Sequence, residues 1–375
     1  MEKKIKILNV VTDLEICNGV TSYVMNYYKN INKEKFEIDF IVCQKRGKEN
    51  YAEIEKNGGK IFYLEQIGIK NFIKTTRKIK NFFKEKAKNY DVIHCHMLNN
   101  GAFFLYYAKK YGIKNRILHS HVTQSAESLI KKIRNDIIIP ISVKNANYFF
   151  ACSNAAGKTI FKKHNFQVIK NAIQVERFAY DFEKRQELRK KYGLEENFII
   201  GNIGRLSYQK NQKFLIEVFN EVNKKNNNIK LILIGNGPLE SELKELCEDY
   251  NICKDVVFID SSNDIQNYYQ MFDLFVLPSN FEGLGIVLIE AQISGLHCVV
   301  SDKVPEEAKI TENFESISLN NSKKIWADKI IELSKMCNNR KTYSKEAIIS
   351  GYEIKNATEL LENSYMNMCK ENNSK

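Results

Sequence analysis

The 375-residue sequence lacks several features that define specialised classes of protein. No segment approaches the ~20 consecutive apolar residues that a transmembrane helix needs. The opening segment, MEKKIKILNVV, places charge directly before a short strand, and its apolar run is too short for a signal peptide. We therefore expect a cytoplasmic protein whose contact with any membrane is peripheral.

Paired cysteines are also missing. The nine cysteines are scattered along the chain, and no two of them form a C-x-x-C pair. An odd, scattered set is typical of free thiols in a reducing compartment, so we predict neither a disulfide framework nor a cysteine-based zinc site. Hydrophobic residues make up 43% and charged residues 27% of the chain, which excludes the collagenous and disordered classes.

Acidic residues are scarce in one half of the chain only. Up to Phe178 there are 32 Lys and Arg against 15 Asp and Glu, whereas the remainder has 25 against 30. The net charge of +12 is therefore +17 in the first half and −5 in the second. Such asymmetry indicates an anionic partner for the first half, and a generally lysine-rich composition is the alternative. Because no recognised nucleic-acid-binding module accompanies the basic residues, we expect an acidic membrane or a phosphorylated substrate rather than nucleic acid.

Continuous apolar strands alternate with helical segments, a pattern typical of parallel α/β sheets. The predicted strands are residues 5–11, 36–43, 60–64, 91–96, 116–121, 148–153, 198–206, 230–237, 256–260, 274–279 and 297–302. Because the length exceeds that of one typical core, we predict two doubly wound, Rossmann-like domains, residues 1–172 and 173–350, with a hinge near 171–180. Residues 351–375 are predicted to form a closing helix that packs toward the first domain.

The segment NFEGLGIVLIEA, residues 280–291, follows a predicted strand. Gly283 and Gly285 lie in a turn, and the helix after it would offer unpaired backbone N–H groups to a phosphate. Glu282 would lie at the mouth of this site and Glu290 about one turn inside the helix. A carboxylate at that second position has little structural role unless it accepts hydrogen bonds from a ligand. An ordinary surface helix with two glutamates is the alternative.

A second segment, GNIGRLSYQKN at 201–211, also follows a predicted strand. Gly204 would allow a close backbone approach, Arg205 can grip a phosphate with two hydrogen bonds, and Lys210 adds a mobile positive charge. Such cations could neutralise a departing diphosphate without a metal. The chain also lacks a D-x-D triplet, the usual means of holding a divalent ion against a nucleotide diphosphate, so we expect no metal cofactor. A solvated Arg/Lys pair is the alternative.

Two further glycine-containing turns carry weaker signals. IGNGPLE at 234–240 resembles a dinucleotide fingerprint, but Glu240 stands where the third glycine is needed. We interpret it as a tight turn near a nucleotide, with Asn236 as a candidate contact. NGVTSY at 18–23 follows the first strand, and Gly19 could bring its backbone amide toward a phosphate at the start of a helix.

Four of the six histidines form two H-x-H pairs at predicted strand ends, His94 with His96 and His119 with His121. Alternate residues share one face of a strand, so each pair could chelate a metal. No carboxylates complete a site at suitable spacing. We therefore favour strand ends that point into the active cleft of an α/β domain, where ligands usually bind.

Residues 69–88, IKNFIKTTRKIKNFFKEKAK, are predicted to form a cationic amphipathic helix. Its apolar residues recur at helical spacing from Ile69 through Phe72 and Ile73 to Phe83, and Lys and Arg occupy most of the remaining positions. A helix of this kind can lie on anionic lipid. A helix packed on the core with a solvated basic face is the alternative.

These segments resemble the glycosyltransferases of family 4 over essentially the whole chain, and most closely the bacterial capsule and exopolysaccharide branch. The resemblance rests on NGVTSYVMNYY, DVIHCHMLNNG, RILHSHVT, FFACSNAAGKTIF, VIKNAIQVERF, IGRLSYQKN, LIGNGPL, CVVSD and above all NDIQNYYQMFDLFVLPSNFEGLGIVLIEAQ. It implies the GT-B architecture, in which two Rossmann-like domains face a cleft. It also implies a retaining mechanism and a nucleotide diphosphate sugar, expected to be a UDP-sugar, as donor.

The resemblance implies donor-binding roles for individual residues. Glu290 would bind the ribose hydroxyls of the nucleotide. Glu282 and the backbone amides of Gly283, Leu284 and Gly285 would hold the donor sugar and its diphosphate.

It also implies roles in the reaction. Arg205 and Lys210 would stabilise the leaving diphosphate, and Gly19 would approach it from the other domain. His121 matches the histidine that lies near the reacting sugar in this family, with His119 as the other choice.

We expect transfer of a hexose or N-acetylhexosamine to a lipid-linked saccharide at the inner face of the cell membrane, with the anomeric configuration retained. No carboxylate is placed as a covalent nucleophile, which favours front-face displacement. Two alternatives stay open. One is a UDP-N-acetylglucosamine 2-epimerase, which shares the architecture and needs no acceptor, and the other is a catalytically silent glycosyltransferase-like subunit that docks a partner at the membrane.

Overall fold

The computed structural model of the chain describes residues 3–16, 18–123, 129–262, 264–336 and 340–371. The chain folds into two compact units, which we call unit 1 (Met1–Ala172 with Ile354–Lys375) and unit 2 (Ile173–Glu353). Unit 1 is therefore assembled from two separate stretches of sequence, and unit 2 from the continuous stretch between them.

Unit 1 is built on a parallel sheet of seven strands. The strands are β1 (Ile5–Val11), β2 (Phe36–Val42), β3 (Ile61–Tyr63), β4 (Val92–Cys95), β5 (Asn115–Ser120), β6 (Tyr148–Ala151) and β7 (Gln167–Val168). They lie in the order β3-β2-β1-β4-β5-β6-β7, and every neighbouring pair is parallel. The unit's helices are α1 (Gly19–Asn30), α2 (Lys48–Lys56), α3 (Phe72–Lys86), α4 (Gly101–Lys110), α5 (Leu129–Asn145), α6 (Asn154–Phe161) and α14 (Ile354–Glu371).

Helix α14 contributes to the hydrophobic core of unit 1. Its apolar residues recur at helical spacing and are buried in the same cluster as residues of β1, β2 and α1. The buried residues of this face are Ile354, Ala357, Leu361, Tyr365 and Met368. The core of unit 1 therefore includes a helix that follows all of unit 2 in the sequence.

Unit 2 is built on a parallel sheet of six strands. The strands are β8 (Phe198–Ile203), β9 (Ile229–Ile234), β10 (Val256–Ile259), β11 (Leu274–Leu277), β12 (His297–Ser301) and β13 (Phe314–Ile317), in the order β10-β9-β8-β11-β12-β13. The helices are α7 (Phe182–Tyr192), α8 (Gln212–Asn223), α9 (Glu240–Asp249), α10 (Ile265–Met271), α11 (Ile286–Ile293), α12 (Lys323–Ser334) and α13 (Ser344–Ile349).

In both sheets the strand order reverses beside the first strand, between β1 and β4 in unit 1 and between β8 and β11 in unit 2. Ligands of doubly wound sheets bind outside the carboxyl ends of the strands at such a point. Most of the candidate residues follow these strands directly: His96 follows β4, Arg205 follows β8 and Glu282 follows β11. The topology therefore positions the candidate residues where this fold binds ligands.

All eleven predicted strands are present, with ends that shift by at most three residues. The two strands that were not predicted, β7 and β13, are short and lie at sheet edges. Seven of the nine cysteines are described and all seven are free thiols, whereas Cys17 and Cys337 lie outside the described residues. Among the helices of the described ranges, none has the length and hydropathy that spanning a membrane requires.

Candidate active site

The two strongest sequence motifs lie side by side in unit 2. Three hydrogen bonds to backbone carbonyls tie the loop after β8 to the loop after β11. Asn211 Nδ2 donates to the Pro278 carbonyl over 3.0 Å, the backbone N–H of Asn280 donates to the Gln209 carbonyl over 2.8 Å, and Asn280 Nδ2 donates to the Tyr208 carbonyl over 2.6 Å. These contacts fix the two loops relative to each other.

A buried ion pair occupies the junction of the two loops. Lys210 Nζ lies 2.7 Å from Glu282 Oε1, and the two side chains are only 15% and 4% exposed. Ser279 Oγ donates to the same carboxylate oxygen over 2.7 Å, and Gln209 Nε2 donates to Glu282 Oε2 over 3.4 Å. Because a buried charge without a partner is costly, loss of either side chain would leave the other unpaired at the junction.

Three glycines allow the loop after β8 to pack closely. A Cβ on Gly204 would lie 3.1 Å from Cε of Lys210, so the missing side chain makes room for the lysine. A Cβ on Gly235 would lie 2.3 Å from the Gly204 carbonyl oxygen, and one on Gly237 would lie 2.1 Å from that of Leu206. The glycines of the IGNG turn therefore support the loop that carries Lys210.

The Asn236 side chain forms hydrogen bonds within unit 2, whereas the Arg205 side chain forms none within the described ranges. The Asn236 side chain donates to Asp260 Oδ1 over 3.1 Å and accepts from the Ser261 backbone N–H over 2.8 Å, so its amide holds the loop after β10. Arg205 is exposed, and its guanidinium has no hydrogen-bond partner within the described ranges. It is therefore a cation available to an anionic ligand.

The turn before α11 is buried and leads directly into the first turn of that helix. Gly283, Leu284 and Gly285 are buried, and Gly285 has a φ of +84°, which favours glycine. Gly285 is the N-cap and supplies no side-chain cap to the first turn. Helix N-termini of this kind attract anions through backbone N–H groups and the helix dipole.

Glu290 is buried within α11 beneath this turn. It is 8% exposed, and its Oε2 accepts a 2.6 Å hydrogen bond from the Tyr269 hydroxyl. Burial raises the pKa of Glu290 to about 7, although the Tyr269 hydroxyl and the charges of Lys210 and Arg177 lower it in part. Glu290 therefore titrates near neutral pH and can act as a strong hydrogen-bond acceptor when ionised.

Two of these partners were missed by the sequence analysis. Ser279 lies three residues before Glu282, and this spacing alone does not predict the hydrogen bond between the two side chains. Tyr269 lies on α10, and nothing in its local pattern distinguishes it from an ordinary buried aromatic residue.

In unit 1, Gly19 is the first residue of α1. Asn18 caps this helix, since its Oδ1 accepts from the Val20 backbone N–H over 3.0 Å and its Nδ2 donates to Asp13 Oδ1 over 3.1 Å. A Cβ on Gly19 would meet no atom within 4 Å. The start of α1 is therefore open beside Gly19.

The four histidines of the H-x-H pairs form one cluster in unit 1. His94 Nε2 lies 3.0 Å from His119 Nδ1, and His96 Nδ1 lies 2.9 Å from His121 Nε2. The rings of His119 and His121 stack with centroids 4.2 Å apart. Within the described residues, His94, His96 and His119 are also a group whose ligand atoms lie within 4.8 Å of one another, a spacing that could hold a metal ion.

Burial sets the protonation state of this cluster. It lowers the pKa of His121 to about 3 and those of the other three histidines well below their usual value. All four rings are therefore neutral near pH 7. The structure thus groups the histidines in unit 1, and the Lys210–Glu282 pair, Arg205 and Glu290 in unit 2.

Comparison with known proteins gives consistent matches over both units. The family model for Glycosyltransferase Family 4 matches residues 17–177, and the model for glycosyl transferases group 1 matches residues 184–349. EpsF of Bacillus subtilis, whose name describes it as a glycosyltransferase, is 28% identical over 370 residues, which is 96% of each chain. The UDP-Gal:α-D-GlcNAc-diphosphoundecaprenol α-1,3-galactosyltransferase of Escherichia coli is 24% identical over 97% of each chain.

Solved structures share the fold. The crystal structure of HepE from Anabaena in complex with UDP-glucose matches with a TM-score of 0.79 and covers 97% of this chain and all of that one. The sequence identity is 16%, so the likeness concerns the fold alone.

Proposed function

We propose that this chain, which belongs to the glycosyltransferases with the GT-B fold, transfers a hexose or N-acetylhexosamine from a UDP-sugar to a lipid-linked saccharide. The observation that carries the proposal is the junction of the two loops in unit 2. There the buried Lys210–Glu282 pair joins the loop that carries the exposed Arg205 to the turn that leads into the start of α11. A nucleotide diphosphate is the anion that suits such a site.

Glu290 is proposed to bind the ribose of the nucleotide. Its ionised carboxylate has lone pairs beyond the one that accepts from Tyr269, and two neighbouring ribose hydroxyls can donate to them. The UDP-Gal donor named for the Escherichia coli relative supports a uridine nucleotide.

The proposed reaction retains the anomeric configuration and needs no metal. The bond between the anomeric carbon and the diphosphate oxygen breaks, and a bond to the acceptor oxygen forms on the same face of the sugar. The acceptor proton moves to an oxygen of the departing diphosphate. Negative charge grows on that diphosphate in the transition state, where Arg205, Lys210 and the amides of residues 283–285 stabilise it.

The proposed acceptor is a diphosphate-linked saccharide at an anionic membrane, as in cell-surface polysaccharide synthesis. The acceptor named for the Escherichia coli relative is such a lipid. The start of α3 and the turn before it support the same proposal. Ile69, Ile73 and Phe72 are 99%, 76% and 46% exposed, and lysines alternate with them. Exposed apolar side chains within a basic segment suit insertion into anionic lipid.

The testing experiment is UDP release from a panel of UDP-sugars, with and without membranes that contain lipid-linked saccharide. Acceptor-dependent release from one donor supports the proposal, and Arg205→Ala should reduce that release strongly. Conversion of a UDP-sugar without acceptor would instead indicate an epimerase. If no donor is turned over under any condition, the chain is not a transferase of this class.

A further inference from the structure

The histidine cluster of unit 1 contains two parallel chains of hydrogen bonds. Each begins at a side chain outside the cluster and ends at a ring nitrogen that is shielded from solvent and has no hydrogen-bond partner among the described residues. The first chain runs Asn9–His96–His121, and the second runs Tyr365–His94–His119. Buried polar atoms of folded proteins are generally hydrogen-bonded, so these two nitrogens are the positions of the cluster that can take a further partner.

Hydrogen bonds among neutral imidazoles have a direction. Each neutral ring carries one N–H donor and one bare nitrogen acceptor, so fixing one nitrogen in a chain fixes all the others. Because burial keeps these rings neutral, the two anchoring side chains decide which nitrogen of each histidine holds the proton.

In the first chain the anchor is an acceptor. His96 Nε2 lies 3.3 Å from Asn9 Oδ1, and a carbonyl oxygen only accepts, so His96 carries its proton on Nε2. Its bare Nδ1 must then accept from His121 Nε2, 2.9 Å away. The remaining nitrogen of the chain, His121 Nδ1, is therefore a bare acceptor.

In the second chain the anchor is a donor. The Tyr365 hydroxyl lies 2.7 Å from His94 Nδ1, and donation to this nitrogen gives the buried hydroxyl hydrogen its acceptor. His94 then carries its proton on Nε2 and donates to His119 Nδ1 over 3.0 Å. The remaining nitrogen, His119 Nε2, is therefore an N–H donor.

We propose that Asn9 and Tyr365 are positioning residues that hold all four histidines in their Nε2–H forms. His119 then offers a donor and His121 an acceptor from two stacked rings. One hydroxyl group of a sugar both donates and accepts, so it matches this pair. The proposal rests on the proposed transferase function for its ligand, whereas the proton positions rest on the geometry of unit 1 alone.

The first experiment measures the proton positions directly. In protein labelled with ¹⁵N-histidine, two-bond correlation spectra near neutral pH distinguish the two neutral forms and the imidazolium, and His164 and His297 serve as internal references. We expect four Nε2–H rings. A proton on Nδ1 of any cluster histidine would overturn the proposal. So would stoichiometric binding of Zn²⁺, because the ion would take the nitrogens that the two chains use.

The second experiment changes one anchor. Tyr365→Phe removes the donor to His94, so His94 and His119 should populate the Nδ1–H form while His96 and His121 stay unchanged. Tyr28→Phe is the matched control, because Tyr28 is also a buried tyrosine of unit 1 but donates to the Ile54 carbonyl over 3.0 Å, outside the cluster. Unchanged spectra in Tyr365→Phe would overturn the assignment of the anchor.

The UDP-release assay tests whether His119 and His121 act on a sugar hydroxyl. We expect Tyr365→Phe to lower kcat by about tenfold through the misplaced proton, and Tyr28→Phe to leave it unchanged. Altered spectra with unchanged turnover would overturn the role toward the sugar hydroxyl. If wild-type protein turns over no donor, the proposed function fails, and the spectra still decide the proton positions.

Discussion

The Tyr269 hydroxyl donates a 2.6 Å hydrogen bond to Glu290, a carboxyl group whose burial raises its pKa to about 7. Only the ionised form accepts two ribose hydroxyls well, so donor binding should strengthen as the pH rises through that value. We expect KM for the donor to fall several-fold between about pH 6 and about pH 8 in the wild type. Glu290→Gln should bind donor weakly at both pH values, which initial-rate kinetics would show.

The same carboxyl group should affect stability in the opposite direction. Its folded-state pKa lies above the ordinary value of 4.5, so the folded state holds a proton that the unfolded state has already released between about pH 4.5 and about pH 7. This group therefore lowers the free energy of unfolding as the pH rises through that window, by on the order of 3 kcal/mol. Urea titrations should show this loss in the wild type and not in Glu290→Gln; equal pH dependence in both would contradict the assignment.

Removal of Lys210 should reduce turnover strongly. Lys210→Ala deletes a cation from the site of charge development, and we expect kcat to fall by about 100-fold in the UDP-release assay. Lys213→Ala is the control, because Lys213 lies nearby on α8 but pairs with Glu242 at the surface.

A double variant separates catalysis from folding at this position. Lys210→Ala leaves Glu282 charged and buried without its partner, so stability should also fall. Lys210→Met combined with Glu282→Gln removes both charges and should recover most of that stability without recovering turnover. Recovery of turnover in the double variant would show that Lys210 acts only in folding.

Arg340 should support the donor site from a distance. Its guanidinium donates to four backbone carbonyls, those of Tyr269, Gln270, Phe272 and Ser294. Three of them close the end of α10, the helix that carries Tyr269. Arg340→Met should lower the free energy of unfolding by about 3 kcal/mol. Arg46→Met, at an exposed ion pair of unit 1, should change it by less than about 0.5 kcal/mol, as urea titrations would measure.

The exposed residues around the start of α3 should be needed for membrane binding. We expect Ile69→Ser with Ile73→Ser to reduce sedimentation with anionic vesicles by about tenfold, because two apolar side chains no longer enter the lipid. Ile349→Ser is the control, since Ile349 is 86% exposed but lies in unit 2. Equal losses in both proteins, or equal binding to neutral vesicles, would contradict a specific role for this segment.

The sheet architecture could be predicted from the sequence because buried parallel strands are continuously apolar, as Ile5–Val11 is. A continuous apolar run does not reveal Gln167–Val168, because this strand has only two residues. It does not reveal Phe314–Ile317 either, because this strand lies at the edge of its sheet and two of its four residues are not buried. Local sequence indicates strands only where both faces are covered.

Helical spacing was a poorer guide to exposure. The sequence placed Ile69, Ile73 and Phe83 on one apolar face, but the structure buries Phe83 fully and leaves Ile69 and Ile73 exposed. Ile69 lies in the turn before α3 and Ile73 in the first turn of the helix, and spacing alone does not report where the buried part of a helix begins.

For the candidate site as well, the sequence predicted some features and missed others. Glu282 and Lys210 could be identified because each follows an apolar strand in a distinctive motif. Their pairing could not, since it depends on β8 and β11 being neighbours although 70 residues separate the two strands. The partners Tyr269 and Tyr365 were equally out of reach, because each lies on a different element from the residue that it contacts.

The division of the chain has a consequence for its biosynthesis. Every residue of unit 2 is synthesised before α14, whereas unit 1 needs α14 to complete its core and to supply Tyr365 to His94. Ile173 and Glu353, the first and last residues of unit 2, lie side by side in a β-bridge. Unit 2 is therefore a continuous insert whose two ends adjoin, and its coding sequence could be exchanged between relatives as a single genetic cassette.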